Sequence, residues 1–588
     1  MPKARTPKPM KNAPPGPWDS EVRLLIWLAT CVSVISFLAY FQRGDVLLYG
    51  DAVAHMNIAR RVFDSKTPGL LQLGTVWLPL PHLLMIPFLL SNEMWQRGVG
   101  GSIPSMLAYV FGVIGMFRLV RGALSRSAEP DVTARLAAWT AALVYAANPN
   151  LIYMQTTAMG EALYLAFFIW AVVYLSECAR GDAKALTKCG LCLAAACLTR
   201  YDGWFLAAAM AATVALCSIF GTTPTAIPTK KTSARCFPRA AAVKFVLIAV
   251  AAPALWLVYN GIVYRNPLEF ANGPYSAKAI ERRTQSGGNP GHPGGGNPFL
   301  AEMYFLKSAE ANVAENQWLQ RTWILLTIGG VVAAGLTCRS EPSSSEPRRA
   351  EAPSIEAGSM ELRPAAALQP RLWPLLFLLV PLPFYALSVA YGGVPIFVPA
   401  WWPFSHYNVR YGLQLLPAFA AALAFLVHRA ARSEGWQTRA RVACVLGLFA
   451  LVAASYASIW RARPVSLVEA QVNMRSRNQL EAQLATWLEK LPRDSTLLMY
   501  LGDHVGALQQ AGIPLNHVIN EGNHRTWRQP ADPDGLWERA LANPAQYADY
   551  VVAFEGDSVW QAAQAQHLQA LVEIHTTGQA RAVLYRAR

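Results

Sequence analysis

Long apolar runs separated by short polar stretches dominate the first 460 residues of the chain. The run from about Leu24 to Phe41 is long enough to cross a bilayer as a helix and has no small-residue cleavage site after it, which predicts a retained anchor. Comparable runs at 103–120, 136–152, 162–177, 241–263, 322–338, 372–390, 411–428 and 442–460 predict further spans. Residues 189–220 are too long for one helix and carry Arg200, Tyr201 and Asp202 in their middle. A charge at mid-bilayer is costly, so two short spans meeting at an aqueous turn near Arg200 are predicted, about eleven in all. WLPLPHLLMIPFLL, within 77–90, is apolar but short and Pro-rich, and predicts a helix lying in the interface with Trp77 and His82 toward the headgroups.

After about residue 461 the pattern changes. Residues 479–490 read as helix, STLLMYLG (495–502) as strand and VGALQQAGI as helix. NHVINEG, YADYVVAFEGD and ARAVLYRAR read as strands with a helical stretch between them, which predicts a small soluble α/β domain over 461–588. The fold class is therefore a polytopic α-helical membrane protein with a soluble C-terminal domain. Its parts are a tail at 1–21, a membrane domain at 22–460 and the soluble domain.

Charge orients the chain. Lys and Arg outnumber Asp and Glu 51 to 36, giving +15, while charged residues are only 15% of the sequence. With the basic, Pro-rich N-terminus inside, the inner connections 121–135, 178–188, 221–240, 339–371 and 429–441 are basic one after another, as the positive-inside rule requires. Segment 339–371, rich in Ser, Glu, Pro and Ala, reads as a disordered cytoplasmic linker. The outer side receives 42–102, 265–320, 391–410 and everything after 461, in a bacterial-looking inner (plasma) membrane protein. None of the nine cysteines falls in an outer segment, so no disulfide framework is implied, and the Cys189/Cys192 spacing inside an apolar helix suits packing better than metal ligation. No zinc-finger, basic-helix or Gly-rich phosphate-loop pattern points to nucleic acid or nucleotide.

The candidate chemistry lies at the outer surface. In GDAVAHMNIARRVF, Asp51 and His55 share a helical face, while Ala52, Met56, Ala59 and Phe63 form a separate apolar stripe suited to a bilayer surface. Asp51 after Gly50 also suits a helix cap, and Glu161 at the start of the fourth span suits a cap as well as an acidic site. Arg200 and Asp202 suit a local ion pair. In WWPFSHYNVRYGLQLLP, His406, Arg410 and Tyr411 stand just outside a span, where an Arg either binds a lipid phosphate with its planar fork or simply snorkels. Lys278, Arg282, Arg283 and His292 sit in a Gly/Pro-rich outer loop that either closes over an anionic ligand or is solvated linker.

Together GDAVAH (50–55), GEALYL (160–165) and NVRYGLQLLP (408–417), in this architecture over roughly 20–460, resemble the type C integral-membrane glycosyltransferases. The nearest likeness is to the bacterial branch of protein mannosyltransferases and aminoarabinose transferases. The resemblance implies an inverting transfer of a sugar from a polyprenyl-phosphate-linked donor to an acceptor (glycan, lipid or protein) on the extracytoplasmic face. It implies Asp51 as the base on the acceptor hydroxyl, Glu161 as a substrate-positioning acid and Arg410 near the donor phosphate. His55, Arg200, Asp202, His406 and Tyr411 are added as substrate-binding candidates. No cofactor is required, although Asp51 and Glu161 could share a divalent metal. Gly-Asp-Ala stands where many relatives have paired acids. A transporter or flippase for a lipid-linked anion would instead need ionisable groups deep in several spans and an internal repeat, and a non-catalytic scaffold would leave the outer acids without purpose.

Overall fold

The computed structural model describes residues 19–124, 131–220, 237–286, 288, 291–337, 372–433, 435–502, 504–523 and 535–588. The expected tail over 1–18 and the whole of the expected linker 339–371 lie outside the described residues.

Among the described residues, eight helical segments are long and apolar enough to cross a membrane. They include α1 (Ser20–Gln42), and, after the short helices α2 (Gly50–Arg61) and α3 (Leu80–Leu89), α4 (Val99–Leu124). Two of the expected spans are shorter than a bilayer demands: α5 (Val132–Ala146) has 15 residues and α7 (Ala185–Cys197) has 13. Between and after them run α6 (Glu161–Ala179), α8 (Asp202–Phe220) and α9 (Arg239–Val263). Residues 189–220 break as expected: α7 ends at Cys197 and α8 begins at Asp202, with Arg200 in the turn. The outer helix α10 (Pro298–Val313) leads into α11 (Gln317–Thr337), and then come α12 (Pro381–Tyr391), α13 (Leu416–Ala431) and α14 (Thr438–Ala462).

The expectation for the 77–90 stretch holds in its shortness and fails in its exposure. Helix α3 has only 10 residues, with Pro81 near its start and Pro87 inside. His82 is fully buried against His55 rather than turned to headgroups. The α2 stripe is likewise covered by protein, since Ala52, Met56 and Ala59 have no exposed surface. Met56 packs where a Cβ on Gly101 of α4 would sit, so the stripe meets a helix rather than lipid.

A single helix, α15 (Val465–Leu488), enters the C-terminal domain, much longer than the segment expected at 479–490. The chain continues through β1 (Leu497–Met499), α16 (Gly506–Ala511), β2 (Val518–Ile519), β3 (Tyr550–Phe554), α17 (Ser558–Ala565), β4 (Gln569–Ile574) and β5 (Ala582–Arg586). The sheet order is β2-β1-β3-β5-β4, parallel over β2, β1 and β3 and antiparallel over β3, β5 and β4. Strand β4 was not expected; its mostly exposed edge lacks the alternation of apolar and polar residues that marks a half-buried strand.

Strand alternation splits the sheet between two environments. Leu498, Ile519, Val551, Ala553, Val583 and Tyr585 face a core belonging to the domain alone. Leu497, Met499, Val552, Phe554 and Leu584 face a core continuous with the membrane domain. The C-terminal domain is thus built onto the membrane domain rather than tethered to it. Polar contacts reinforce the seam: Asn57 Nδ2 donates to Gln509 Oε1 at 2.8 Å, and the Asp64 carboxylate accepts the backbone N–H groups of Leu515 (3.3 Å) and Asn516 (3.0 Å). Both anchor residues belong to α2 or the turn after it, so the seam fixes the segment that carries Asp51.

One titration within this seam has a measurable consequence. His504 stacks on Phe554, with ring centroids 4.2 Å apart, and burial pushes its pKa down to about 4. Its ordinary value near 6.5 applies in the unfolded chain. Between pH 6.5 and 4 the unfolded state therefore takes a proton that the folded state refuses, and stability falls by up to about 3 kcal/mol over that window. Glu481, raised by burial, works in the opposite direction. Comparing thermal unfolding at pH 7 and pH 5 isolates the histidine: His504→Gln should lose less stability than the natural protein on acidification.

Candidate functional site

The site gathers residues from α2, the start of α6, the turn between α7 and α8, α12, the segment before α13 and the first turns of α15. Each functional side chain is placed by a local feature of the sequence. Asp51 lies in the first turn of α2, whose N-cap is Tyr49 with no side-chain capping bond, so Asp51 is not the cap. Its carboxylate reaches Arg410 instead, Oδ2 to Nη2 at 2.7 Å. Glu161 is the first residue of α6 after the N-cap Gly160 and makes no capping bond either. Arg410 is delivered by a tight turn. Asn408 adopts the left-handed conformation (φ 56°), tolerable for Asn, and its side-chain amide donates to the Pro395 carbonyl at 2.9 Å. Gly412 follows, where any Cβ would run into the backbone of Ser308 and Ala309, so the segment presses directly onto α10.

Arg410 is the hub, with only 7% of its side chain exposed, and this excludes snorkelling. Besides Asp51 it binds Glu161 (Nε to Oε1, 3.2 Å) and Glu469 (Nη1 to Oε1, 2.5 Å). Its guanidinium lies 4.9 Å from the Tyr49 ring and 5.2 Å from the Tyr411 ring. Arg200 is a second hub. It shares Glu161 Oε1 at 3.1 Å, pairs with Asp202 at 3.4 Å, donates to the Tyr385 hydroxyl at 3.1 Å and lies over Tyr411 at 4.7 Å. Tyr385 in turn donates to Asp202 Oδ2 at 2.7 Å. The expected Arg200–Asp202 pair is therefore one edge of a larger network.

Exposure sorts the three carboxylates bound to Arg410. Glu469 is fully buried and Glu161 is 1% exposed, whereas 43% of the Asp51 side chain meets solvent. Glu469 is also held by the Val409 N–H at 2.6 Å and the Tyr49 hydroxyl at 3.3 Å, which commits it to the protein. One oxygen, Glu161 Oε2, is buried with no hydrogen-bond partner. Asp51 is the network's acid with room for a substrate, and Glu161 keeps one acceptor position unspent.

Of the sequence candidates, Asp51, Glu161, Arg200, Asp202, Arg410 and Tyr411 meet in one network. His55 stands beside it, hydrogen-bonded to His82 and packed on Trp77 at 4.7 Å between centroids. Burial lowers the pKa of His55. His406 is half-buried at the rim, where Asn473 holds its backbone carbonyl at 2.8 Å, and its imidazole makes no ion pair among the described residues. The helix with Lys278, Arg282 and Arg283 has no buried residue, while His292 is fixed by the Ile396 carbonyl at 2.8 Å. Glu469, Tyr385 and Tyr49 were missed. Glu469 had a signal: it is the only acid in the stretch Pro464–Asn473 directly after the last span.

Asp51 and Glu161 are bridged by Arg410, whose Nη2 and Nε occupy the place that a shared cation would take. Among the described residues no group of three or more His, Cys, Asp or Glu side chains is arranged to hold a metal ion. A metal shared by these two acids does not fit the arrangement.

The fold is that of a polytopic membrane protein with an ion-pair network under the helix that follows its first span, and it is similar to solved type C glycosyltransferases. Comparison with solved structures gives the particular likeness. ArnT from Cupriavidus metallidurans bound to undecaprenyl phosphate superposes with a TM-score of 0.52 at 13% identity, covering 97% of this chain and 98% of that one. Its apo form gives 0.48 at 13% identity over the same shares. The archaeal oligosaccharyltransferase AglB from Archaeoglobus fulgidus, in complex with an inhibitory peptide and a dolichol-phosphate, gives 0.41 at 11% identity, over 97% of this chain and 74% of that one. No protein-family profile and no curated relative matches the chain.

Proposed function

We propose that this protein transfers a sugar from a polyprenyl-phosphate-linked donor to an acceptor hydroxyl at the extracytoplasmic face of the inner membrane, with Asp51 as the general base. The observation that carries this reading is the difference in exposure within the Arg410 network: one carboxylate open to solvent, the others sealed. The fold, shared with a protein solved bound to undecaprenyl phosphate, supports it.

In this reading the acceptor hydroxyl gives its proton to Asp51 as its oxygen attacks the anomeric carbon. The bond from that carbon to the phosphate oxygen breaks and polyprenyl phosphate leaves, with inversion at the carbon. Arg410 aims the Asp51 carboxylate and stabilises charge as it moves through the site. Glu161 Oε2 offers an acceptor to a sugar hydroxyl. No divalent metal is required, because the guanidinium already lies between the acids. His406 and Tyr411 line the rim and the floor. The basic connections support a cytoplasmic N-terminus and a C-terminal domain outside.

Titration of the purified protein in nanodiscs with undecaprenyl phosphate tests the donor half of this reading. Saturable binding is expected. No binding to undecaprenyl or dolichyl phosphate would contradict it.

A further inference from the structure

The His55–His82 pair lies beside the network and is used by none of the steps above. His55 Nδ1 and His82 Nε2 are 2.8 Å apart, so one proton lies between the two rings. His82 is fully exposed to nothing but protein, and its Nδ1 is buried without a partner. Neutral imidazole has one N–H and one bare nitrogen, so the dyad has two neutral arrangements. If His55 Nδ1–H donates, His82 must carry its own proton on Nδ1, a buried N–H with nothing to accept it. If His82 Nε2–H donates, the partnerless Nδ1 is a bare nitrogen and the proton of His55 is left on its Nε2. Orphaned buried N–H groups are the rarer and costlier defect, which selects the second arrangement. Protonating the dyad is opposed by its burial.

His55 Nε2 makes no hydrogen bond among the described residues and is not sealed from solvent. His55 follows Asp51 by one turn of α2, which sets the two Cβ atoms about 5–6 Å apart on one face. Side chains on neighbouring turns of one face can reach a single bound substrate at two places, Asp51 at the acceptor hydroxyl and His55 at a phosphoryl oxygen, which stands out from the anomeric carbon. The cations around Asp51 are engaged: Arg410 with three carboxylates, Arg200 with two, and Arg477, whose guanidinium lies against Gly50, with Glu481.

We propose that His55 is a neutral hydrogen-bond donor whose Nε2–H binds a phosphoryl oxygen of the lipid-phosphate leaving group, and that His82 is the positioning residue that fixes its tautomer. This rests on the transferase reading and assigns a residue within it. The His55–His82 hydrogen bond does not change in the reaction: His82 Nε2–H donates throughout, and His55 keeps its proton while contributing a dipole to the departing phosphate.

Two measurements test it on the purified full-length protein. The 15N spectrum of histidine-labelled protein should show His55 as the Nε2–H tautomer, shifting when undecaprenyl phosphate is added; an Nδ1–H tautomer overturns the proposal. Undecaprenyl phosphate affinity should fall about 10- to 100-fold in His55→Phe and be largely kept in His55→Gln, whose amide N–H can stand where Nε2–H stood. His82→Gln, which retains a donor toward His55 Nδ1, should keep affinity, and His82→Leu should lose it while the melting temperature stays close to that of His82→Gln. Equal affinity of the natural protein and a folded His55→Phe overturns this inference and leaves the transferase reading standing. No binding by the natural protein overturns the transferase reading, and the phosphate assignment falls with it.

Discussion

Replacing Arg410 with alanine is expected to cost about 3–5 kcal/mol and to leave little folded protein. The size follows from what the arginine neutralises. Glu469 is fully buried and would keep only the Val409 N–H and the Tyr49 hydroxyl. Glu161 would retain Arg200 but lose its second cation. Lysine is no substitute, since one ammonium on a flexible stem cannot meet three carboxylates approaching from three directions. Pairing Arg410→Met with Glu469→Gln removes the buried charge as well as its partner, and should recover folding without recovering activity. Thermal unfolding of the three variants in detergent checks this. An Arg410→Ala protein as stable as the natural one would show that the network does not hold the site together.

Asp51→Asn should behave in the opposite way. The side chain is 43% exposed and makes one ion pair, so its neutral isostere should unfold within about 1 kcal/mol of the natural protein. Transfer should nevertheless fall about 10²- to 10⁴-fold, the usual range for removing a positioned base. The pair of variants separates what builds the site from what uses it: Arg410→Ala loses the fold, and Asp51→Asn loses the reaction.

Much of this was legible in the sequence because hydrophobic periodicity and the Lys/Arg bias are properties of the chain itself. The break at Arg200 was readable because a charge in a long apolar run demands a turn. Asp51, Glu161 and Arg410 could be named since ionisable residues beside spans are few. Their joining into one network was not readable, because 359 positions separate the partners of the Asp51–Arg410 hydrogen bond. His82 and the α2 stripe were misplaced for a single reason: amphipathic and apolar short helices look alike whether lipid or protein covers them. Packing of α2 and α3 against each other and against α4 decides that question, and such contacts, like that of Asn57 with Gln509, have no local trace in the sequence.

The most direct test of the central claim is the release of polyprenyl phosphate from polyprenyl-monophosphate sugars. It would be followed with purified protein and a cell-envelope extract as the source of acceptor, comparing the natural protein with Asp51→Asn. The account predicts release by the natural protein, at least a hundredfold above Asp51→Asn at equal folded concentration. Equal release by both proteins would contradict Asp51 as the base, and no release from any sugar of the panel would contradict the transferase itself.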